Sequence, residues 1–162
     1  MDGVERERKF LVAEPPSDLE RQRSSRISQG YLAVGADGSE VRVRQRGERN
    51  TLTVKQGSGL VRREQEIDIT RPQFERLWPL TEGRRIEKTR YEIPHPGGLV
   101  IELDVYEGEL VGMLTAEVEF QSAAGAERFV PPPWFGLEVT HDDAYKNRRL
   151  AIDGLPPAGS MA

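Results

Sequence analysis

Residues 4–10 read Val-Glu-Arg-Glu-Arg-Lys-Phe, so Glu5, Glu7 and Lys9 occupy alternate positions. Alternate residues of a β-strand point to the same side, with roughly 7 Å between successive members of one face. The stretch therefore predicts a strand over 4–13 that presents two carboxylates and one ammonium from a single surface.

The same alternation recurs along the chain, and the signs of the charges are segregated. Some segments present only acids and others only bases, alternating with apolar or polar neighbours: Glu64/Glu66, Glu102/Asp104 and Glu117/Glu119 against Arg42/Arg44/Arg46 and Lys88/Arg90. A solvated face usually mixes the two signs. The segregation therefore favours a charged interior over an ordinary exposed face.

Turn signals divide the chain into about eight strands and three helices. Strands are predicted over 4–13, 27–34, 40–46, 51–56, 60–69, 84–93, 99–107 and 114–121, and helices over 71–80, 123–130 and 142–150. Residues 18–26 fit either a short helix or an irregular segment. Many strands with short connections favour an antiparallel sheet that closes or nearly closes. We predict a mainly β (α+β) fold, an eight-stranded antiparallel tunnel or open cup-shaped barrel with helices packed outside, in one domain over 1–153 with a flexible tail over 154–162.

The composition narrows the class of protein. The 162 residues are 36% hydrophobic and 31% charged, with 23 basic and 27 acidic side chains and no cysteine. The lack of cysteine excludes disulfides and thiolate metal sites. No basic run indicates nucleic-acid binding, and no apolar run reaches the length that spans a bilayer. We expect a cytoplasmic protein that binds neither nucleic acid nor membrane.

A cavity that contains both signs suits a phosphate ligand with a divalent metal. Guanidinium and ammonium groups neutralise phosphate oxygens, and carboxylates bind Mg²⁺ or Mn²⁺ through oxygen while the metal bridges to the phosphates. Each cluster compensates the other, because an unpaired cluster of buried like charge is costly. The residues therefore predict a metal-dependent phosphoryl-transfer site.

The ordered series of charged motifs resembles the CYTH superfamily, the triphosphate tunnel metalloenzymes. Glu5-Arg-Glu7-Arg-Lys9 matches the ExExK motif of that family, and further matches extend over residues 4–150: Arg42-Val-Arg44, Thr53-Val-Lys55, Glu64-Gln-Glu66, Glu87–Tyr91, Glu102-Leu-Asp104, Glu117-Val-Glu119 and Tyr145-Lys146-Asn147. The stretches 78–85, 131–136 and 138–140 look like the short bacterial members that act as inorganic triphosphatases. The resemblance implies a linear triphosphate bound with Mg²⁺ or Mn²⁺, and it is compatible with a homodimer.

The resemblance also implies roles for individual residues. The acids matching the metal side are Glu5, Glu7, Asp104, Glu117 and Glu119, and the bases matching the phosphate side are Arg42, Arg44, Lys55, Lys88, Arg90 and Lys146. Lys9 and Tyr31 match a Lys–Tyr pair that resembles a catalytic dyad, and Glu64, Glu66 and Glu102 are supporting acids.

The implied reaction is hydrolysis of the terminal phosphoanhydride of tripolyphosphate to pyrophosphate and phosphate. Water activation by a second metal or by the Lys9–Tyr31 pair stays open, as do an ordinary ion-paired Lys9 and a Tyr31 that only packs. The alternatives are a class IV-type adenylate cyclase that makes cyclic AMP from ATP, and a thiamine or nucleoside triphosphatase. A non-catalytic polyphosphate-binding module belongs to another class, and it would be expected to lack some of the metal-side acids.

Overall fold

The structure is a computed structural model that describes residues 6–57 and 63–157. Its eight strands are β1 (Glu7–Leu11), β2 (Arg23–Val34), β3 (Glu40–Arg46), β4 (Arg49–Gln56), β5 (Arg63–Ile69), β6 (Arg85–His95), β7 (Leu99–Tyr106) and β8 (Leu114–Glu119). Its three α-helices are α1 (Arg71–Leu77), α2 (Ala123–Arg128) and α3 (Asn147–Asp153). The first residues of two predicted strands, 4–5 and 60–62, lie outside the described ranges.

All eight strands belong to one antiparallel sheet, in the order β1-β8-β7-β6-β2-β3-β4-β5. This order confirms the predicted eight-stranded architecture. Strands β1 and β5 are its two ends and do not pair with each other in the described part of the chain, so the sheet is an open cup. The backbone of residues 136–139 covers the outer edge of β1, where Gly136 and Val139 donate hydrogen bonds to the carbonyls of Leu11 and Lys9 at 2.7 and 2.8 Å.

The outer face of β1, β7 and β8 is apolar and carries most of the aromatic packing. Its buried cluster contains Phe10, Val12, Ile101, Leu103, Ala116, Val118, Phe120 and Phe129, covered by Trp134 and Phe135. Phe10 and Phe135 have ring centroids 4.8 Å apart. Alternation puts these residues opposite the acids of the same strands, so packing outside the cup fixes which side chains face its interior.

Helix α1 covers the outer face at the other half of the sheet, against β3 and β4. Thr70 caps it in a reciprocal capping box with Gln73, and Phe74 is its buried residue. The 3₁₀ turn Trp78–Thr81 that follows crosses Gly30 of β2, where a Cβ atom would lie 2.5 Å from Thr81. Glycine is therefore required at residue 30, between two inward-facing residues.

Helix α3 lies in a different place from the other two. It packs with residues of the inner face at one end of the cup, in a cluster of Leu11, Tyr31, Ile86, Tyr106, Leu110, Met113, Val139, Tyr145, Leu150 and Ala151. The predicted external position of the helices therefore does not hold for α3, because the inner face becomes apolar at this end and Leu150 and Ala151 have their burial partners there.

The boundaries differ from the predicted ones in two further regions. Strand β2 begins at Arg23 rather than residue 27, because pairing with β6 orders residues 23–26 although they lack an apolar alternation. The predicted helix over 142–150 is a 3₁₀ turn, Asp143–Tyr145, followed by α3, since Lys146 has an extended backbone. Among the described residues, no helix is long and apolar enough to span a membrane.

Candidate active site

Strand register places the predicted site residues of the sheet on one face, the interior of the cup. Residues directly opposite in antiparallel strands point to the same side. The opposed pairs include Glu7–Glu119, Lys9–Glu117, Glu117–Glu102, Asp104–Arg90, Tyr31–Arg42, Gln29–Arg44, Thr53–Glu66 and Lys55–Glu64. Lys146 precedes α3 instead, and Glu5 lies outside the described residues.

Asp104 is the centre of a buried charge network. Its side chain is fully buried, lies 2.7 Å from the Lys88 ammonium, and accepts both arms of a fork from Arg90 at 2.8 and 2.9 Å. The remaining Arg90 nitrogen lies 2.7 Å from Glu102. Both Asp104 oxygens are thus engaged by cations, and the carboxylate holds the two bases in place. The metal role predicted for Asp104 stays a prediction that this pairing does not favour.

Burial and pairing compete for the pKa values of this network. Burial would raise the pKa of Asp104, but Lys88 and Arg90 together lower it well below its usual range. For Lys88 burial is the stronger influence, and it lowers the pKa of the ammonium to about 8 in spite of Asp104. Asp104 therefore stays ionised near neutral pH, while Lys88 changes charge just above it.

Arg42 and Arg44 form a second basic group on β3, and its charge is poorly compensated. Burial, followed by the positive charges of Arg42 and Arg90, lowers the pKa of Arg44 to about 10. Arg42 is 9% exposed, its nearest ion-pair partner is Glu40 at 3.9 Å, and its buried Nε has no hydrogen-bond partner within the described ranges. Crowded guanidinium groups that repel one another are a site prepared for an anion.

Tyr31 and Lys9 are both buried on the inner face, but no hydrogen bond joins them among the described residues. The Lys9 ammonium donates to the carbonyl of Tyr145 at 2.5 Å and lies 3.4 Å from Glu117. The Tyr31 oxygen accepts from Gln29 Nε2 at 2.8 Å. Burial raises the pKa of Tyr31 although the charge of Arg42 opposes it. The phenol is therefore protonated near neutral pH.

The remaining acids of β1, β7 and β8 lie across from one another. Glu7 faces Glu119 and Glu102 faces Glu117, with Glu7 and Glu119 exposed and the other two half-buried. Lys9 offsets part of the charge of Glu117, and Arg90 part of that of Glu102. Because like charges directly opposite destabilise a sheet, a further cation between the acids would lower the repulsion that remains. No three His, Cys, Asp or Glu side chains converge on a metal position in residues 6–57 and 63–157. The donor set still fits Mg²⁺ or Mn²⁺, because such ions use one or two carboxylates and take other oxygens from phosphate and water.

The other predicted residues lie towards the rim. Glu64 and Glu66 are exposed on the end strand β5, where Glu66 accepts a hydrogen bond from Thr53 at 2.9 Å. Lys55, half-buried, is opposite Glu64. Lys146 is exposed and lies 2.9 Å from Asp143. These groups can change partners at little cost, because exposed ion pairs contribute little stability.

The inner-face residues that reasoning from the sequence missed include Gln29, Tyr106 and Thr115. All three are buried: Gln29 links Arg44 to Tyr31, while Tyr106 contacts Thr115 at 3.3 Å and lies under the Lys88 ammonium. Each stands two positions from a predicted site residue on the same strand. The two-residue spacing could have identified them as inner-face positions. Their neutral side chains do not contribute to the charge alternation on which the prediction was based.

Known proteins share both the sequence and the fold. The chain is 50% identical over 150 residues to an inorganic triphosphatase of Nitrosomonas europaea. The alignment covers 92% of this chain and 97% of that protein. It is similar to a crystal structure of an inorganic triphosphatase at a TM-score of 0.77 and 46% identity, over 95% of this chain and 97% of that chain. A Hippeastrum protein studied as an adenylyl cyclase, with a dominant triphosphatase activity, shares the fold at a TM-score of 0.53 and 16% identity, over 76% of this chain and 83% of that chain. No protein-family model matches the chain.

Proposed function

The chain belongs to the inorganic triphosphatases of CYTH type, and we propose that its cup hydrolyses tripolyphosphate to pyrophosphate and phosphate with Mg²⁺ or Mn²⁺. The observation that carries the proposal is the grouping of Arg42, Arg44 and Arg90: burial, followed by the positive charges of Arg42 and Arg90, lowers the pKa of Arg44 to about 10. A linear polyanion is the ligand that relieves this repulsion along several strands at once.

The bases of β3 and β6 hold the phosphates and stabilise the charge that develops during transfer. Arg42 and Arg44 act from one side, and Lys88 and Arg90, fixed by Asp104, act from the other. A water oxygen forms a bond to the terminal phosphorus while the bridging P–O bond breaks, so phosphate and pyrophosphate leave as anions. Preorganised cations of this kind need no rearrangement when the charge appears.

The acids of β1, β7 and β8 would hold the divalent metal, with phosphate oxygens as its other ligands. These residues are Glu7, Glu117 and Glu119, with Glu102 in support and Glu5 as a further candidate beyond the described ranges. When bound, the metal supplies positive charge to the phosphate oxygens and the bound water. We propose Lys9 and Tyr31 as catalytic residues beside this site, and a cytoplasmic homodimer as the form of the enzyme.

A phosphate-release panel tests the activity and its metal dependence. With tripolyphosphate and Mg²⁺ or Mn²⁺ we expect turnover on the order of 1–10³ per second. EDTA should lower it at least about 100-fold, because metal charge stabilises the transition state by several kcal/mol, and added metal should restore it. Equal rates with and without chelator would contradict the metal's role.

The same panel separates the alternative functions. ATP and thiamine triphosphate should be hydrolysed more slowly than tripolyphosphate. Cyclic AMP as the main product from ATP would replace the proposal by a cyclase. Tight binding of tripolyphosphate with no phosphate released under any metal would indicate a binding module instead.

Lys88 should give the reaction an alkaline limb. Because burial lowers its pKa to about 8, the ammonium is charged below that pH and loses its charge above it. The value of kcat/KM, which reports the free enzyme, should therefore fall as pH rises through about 8.

The matched control is Lys88→Arg, since a guanidinium keeps its charge through this range. Its kcat/KM should lack the limb, whereas a limb caused by ionisation of the substrate would persist. NMR titration of the lysine side chains gives the same test without turnover. If no lysine changes charge between pH 7 and 9 (roughly one unit either side of the Lys88 value), the assignment is wrong.

A further inference from the structure

Gln29 is a fully buried neutral residue between two residues with predicted roles, and it has no role in the mechanism given above. It lies on β2 directly opposite Arg44, two positions from Tyr31, and it is 0% exposed. Its amide oxygen accepts from Arg44 Nε at 2.7 Å, and its amide nitrogen donates to Tyr31 Oη at 2.8 Å. The amide thus connects the phosphate-binding arginines to the phenol.

Arg44 fixes which way round this amide lies. A guanidinium has five donors and no acceptor, so only the oxygen of Gln29 can face it. The nitrogen must then face Tyr31, whose oxygen accepts that hydrogen bond. The hydrogen bonds that link Arg44, Gln29 and Tyr31 can therefore run in one direction only, from Arg44 to Gln29 and from Gln29 to Tyr31.

The hydroxyl proton of Tyr31 must point away from Gln29. Arg42, opposite Tyr31 on β3, is also only a donor. Within residues 6–57 and 63–157, Tyr31 Oη donates to no acceptor. Burial keeps the phenol protonated by raising its pKa. A buried O–H that lacks an acceptor in the described part of the chain is a donor available to a ligand in the cup.

We propose that Gln29 is a positioning residue that turns the Tyr31 hydroxyl proton toward a phosphate oxygen of the bound triphosphate. The inference rests on the proposed function and names the role of Tyr31 within it, as a hydrogen-bond donor rather than a base. Tyr31 gives charge stabilisation to the transferring or leaving oxygen without itself losing the proton.

Gln29→Glu tests this role because it keeps the shape of the side chain and reverses one hydrogen bond. A carboxylate still accepts a hydrogen bond from Arg44, but it has no N–H to donate to Tyr31. It instead accepts a hydrogen bond from the Tyr31 hydroxyl. We expect kcat for tripolyphosphate to fall about 10²- to 10³-fold, the loss typical of removing one preorganised hydrogen-bond donor to a developing charge. KM should change less than about 3-fold, because the loss concerns the transition state.

The Tyr31→Phe background separates positioning from the added negative charge. With no hydroxyl to turn, Gln29→Glu should change kcat of Tyr31→Phe less than about 2-fold, which is the non-additivity expected of residues that act as a unit. The same loss in both backgrounds would overturn the proposal, since it would come from charge or packing. Wild-type kcat in Tyr31→Phe alone would also overturn it while leaving the triphosphatase activity intact.

Two further measurements keep the test decisive. Denaturant unfolding confirms that each variant folds, and if Gln29→Glu does not, Gln29→Met removes the donor without adding charge and is placed in the same two backgrounds. Wild-type turnover is measured in the same assay. An inactive wild type would reject the proposed function itself, together with this role for Gln29.

Discussion

Asp104→Asn should lower the free energy of unfolding by about 3–5 kcal/mol, the cost of leaving a buried charge without its partner. The carboxylate of Asp104 is fully buried and holds Lys88 at 2.7 Å and Arg90 at 2.8 Å. An asparagine keeps the shape but leaves the buried Lys88 ammonium without its counter-charge and Arg90 with Glu102 as its remaining partner. We expect kcat/KM to fall at least about 100-fold as well, because both bases lose the orientation that holds phosphate.

Glu102→Gln is the matched control for this change. Glu102 stands two residues away on the same face of β7, pairs with Arg90 at 2.7 Å, and has a side chain that is 29% exposed. Its loss should cost about 1 kcal/mol or less, because a partly exposed pair is screened by water. Denaturant midpoints of the two variants give the comparison.

The pH dependence gives an independent check on Asp104. Its pKa is lowered in the folded state, so its stabilising contribution is present above the unfolded value of about 4. The contribution is lost as pH falls toward the lower folded value. The stability difference between wild type and Asp104→Asn should therefore shrink below about pH 4. If the variant instead unfolds like wild type, and excess Mg²⁺ restores its turnover, Asp104 is a metal ligand and not a counter-charge.

The orientation of the strands was readable from the sequence because two patterns agree on it. In β7 the acids at 102 and 104 alternate with Ile101 and Leu103, and burial of the apolar pair on one side forces the acids to the other. The same logic places Lys88 and Arg90 inside β6. Alternation therefore predicts which face a residue occupies, and strand register confirms it.

The different roles of the acids could not be predicted from the sequence, because the residue type does not show how deeply a position on a strand is buried. Asp104 is opposite Arg90 and fully buried, while Glu102 on the same face is partly exposed. Which acid meets which base depends on the β6–β7 register, and this is set by the turn Pro96-Gly97-Gly98, in which both glycines have positive φ. The sequence motifs assign Asp104 to the metal side, which stays a prediction, and the structure pairs its carboxylate with two bases.

The side of the sheet on which α3 packs could not be predicted from the sequence, for a similar reason. Leu150 and Ala151 form an apolar stripe that fits either side of a sheet. The inner side is chosen because Leu11, Ile86 and Tyr106 make one end of the cup apolar. The apolar character of that end is evident only from the folded structure, because it is formed by residues from four strands.

Arg44→Met should raise the stability of the free enzyme and lower its activity, whereas Asp104→Asn should lower both. Burial, followed by the charges of Arg42 and Arg90, lowers the pKa of Arg44 to about 10, a shift that corresponds to about 3 kcal/mol of unfavourable free energy while the group remains charged. Methionine removes the charge and retains the length of the stem, but it leaves the buried oxygen of Gln29 without its donor, which costs about 1–3 kcal/mol. We therefore expect the free enzyme to gain up to about 2 kcal/mol in unfolding free energy.

The same change should lower kcat/KM for tripolyphosphate about 10²- to 10³-fold, because one preorganised cation no longer meets the developing charge. Ligand linkage gives a second readout: tripolyphosphate with EDTA should raise the melting temperature of wild type more than that of the variant. Arg71→Met on α1 is the control, since Arg71 is exposed and its partner Glu75, at 3.1 Å, is exposed as well; the change should leave stability and turnover nearly unchanged. Destabilisation of the free enzyme by Arg44→Met would mean that the guanidinium cluster is compensated within the protein. The repulsion that supports polyanion binding would then be absent, because a site prepared for a ligand by charge crowding must become more stable when the charge is removed.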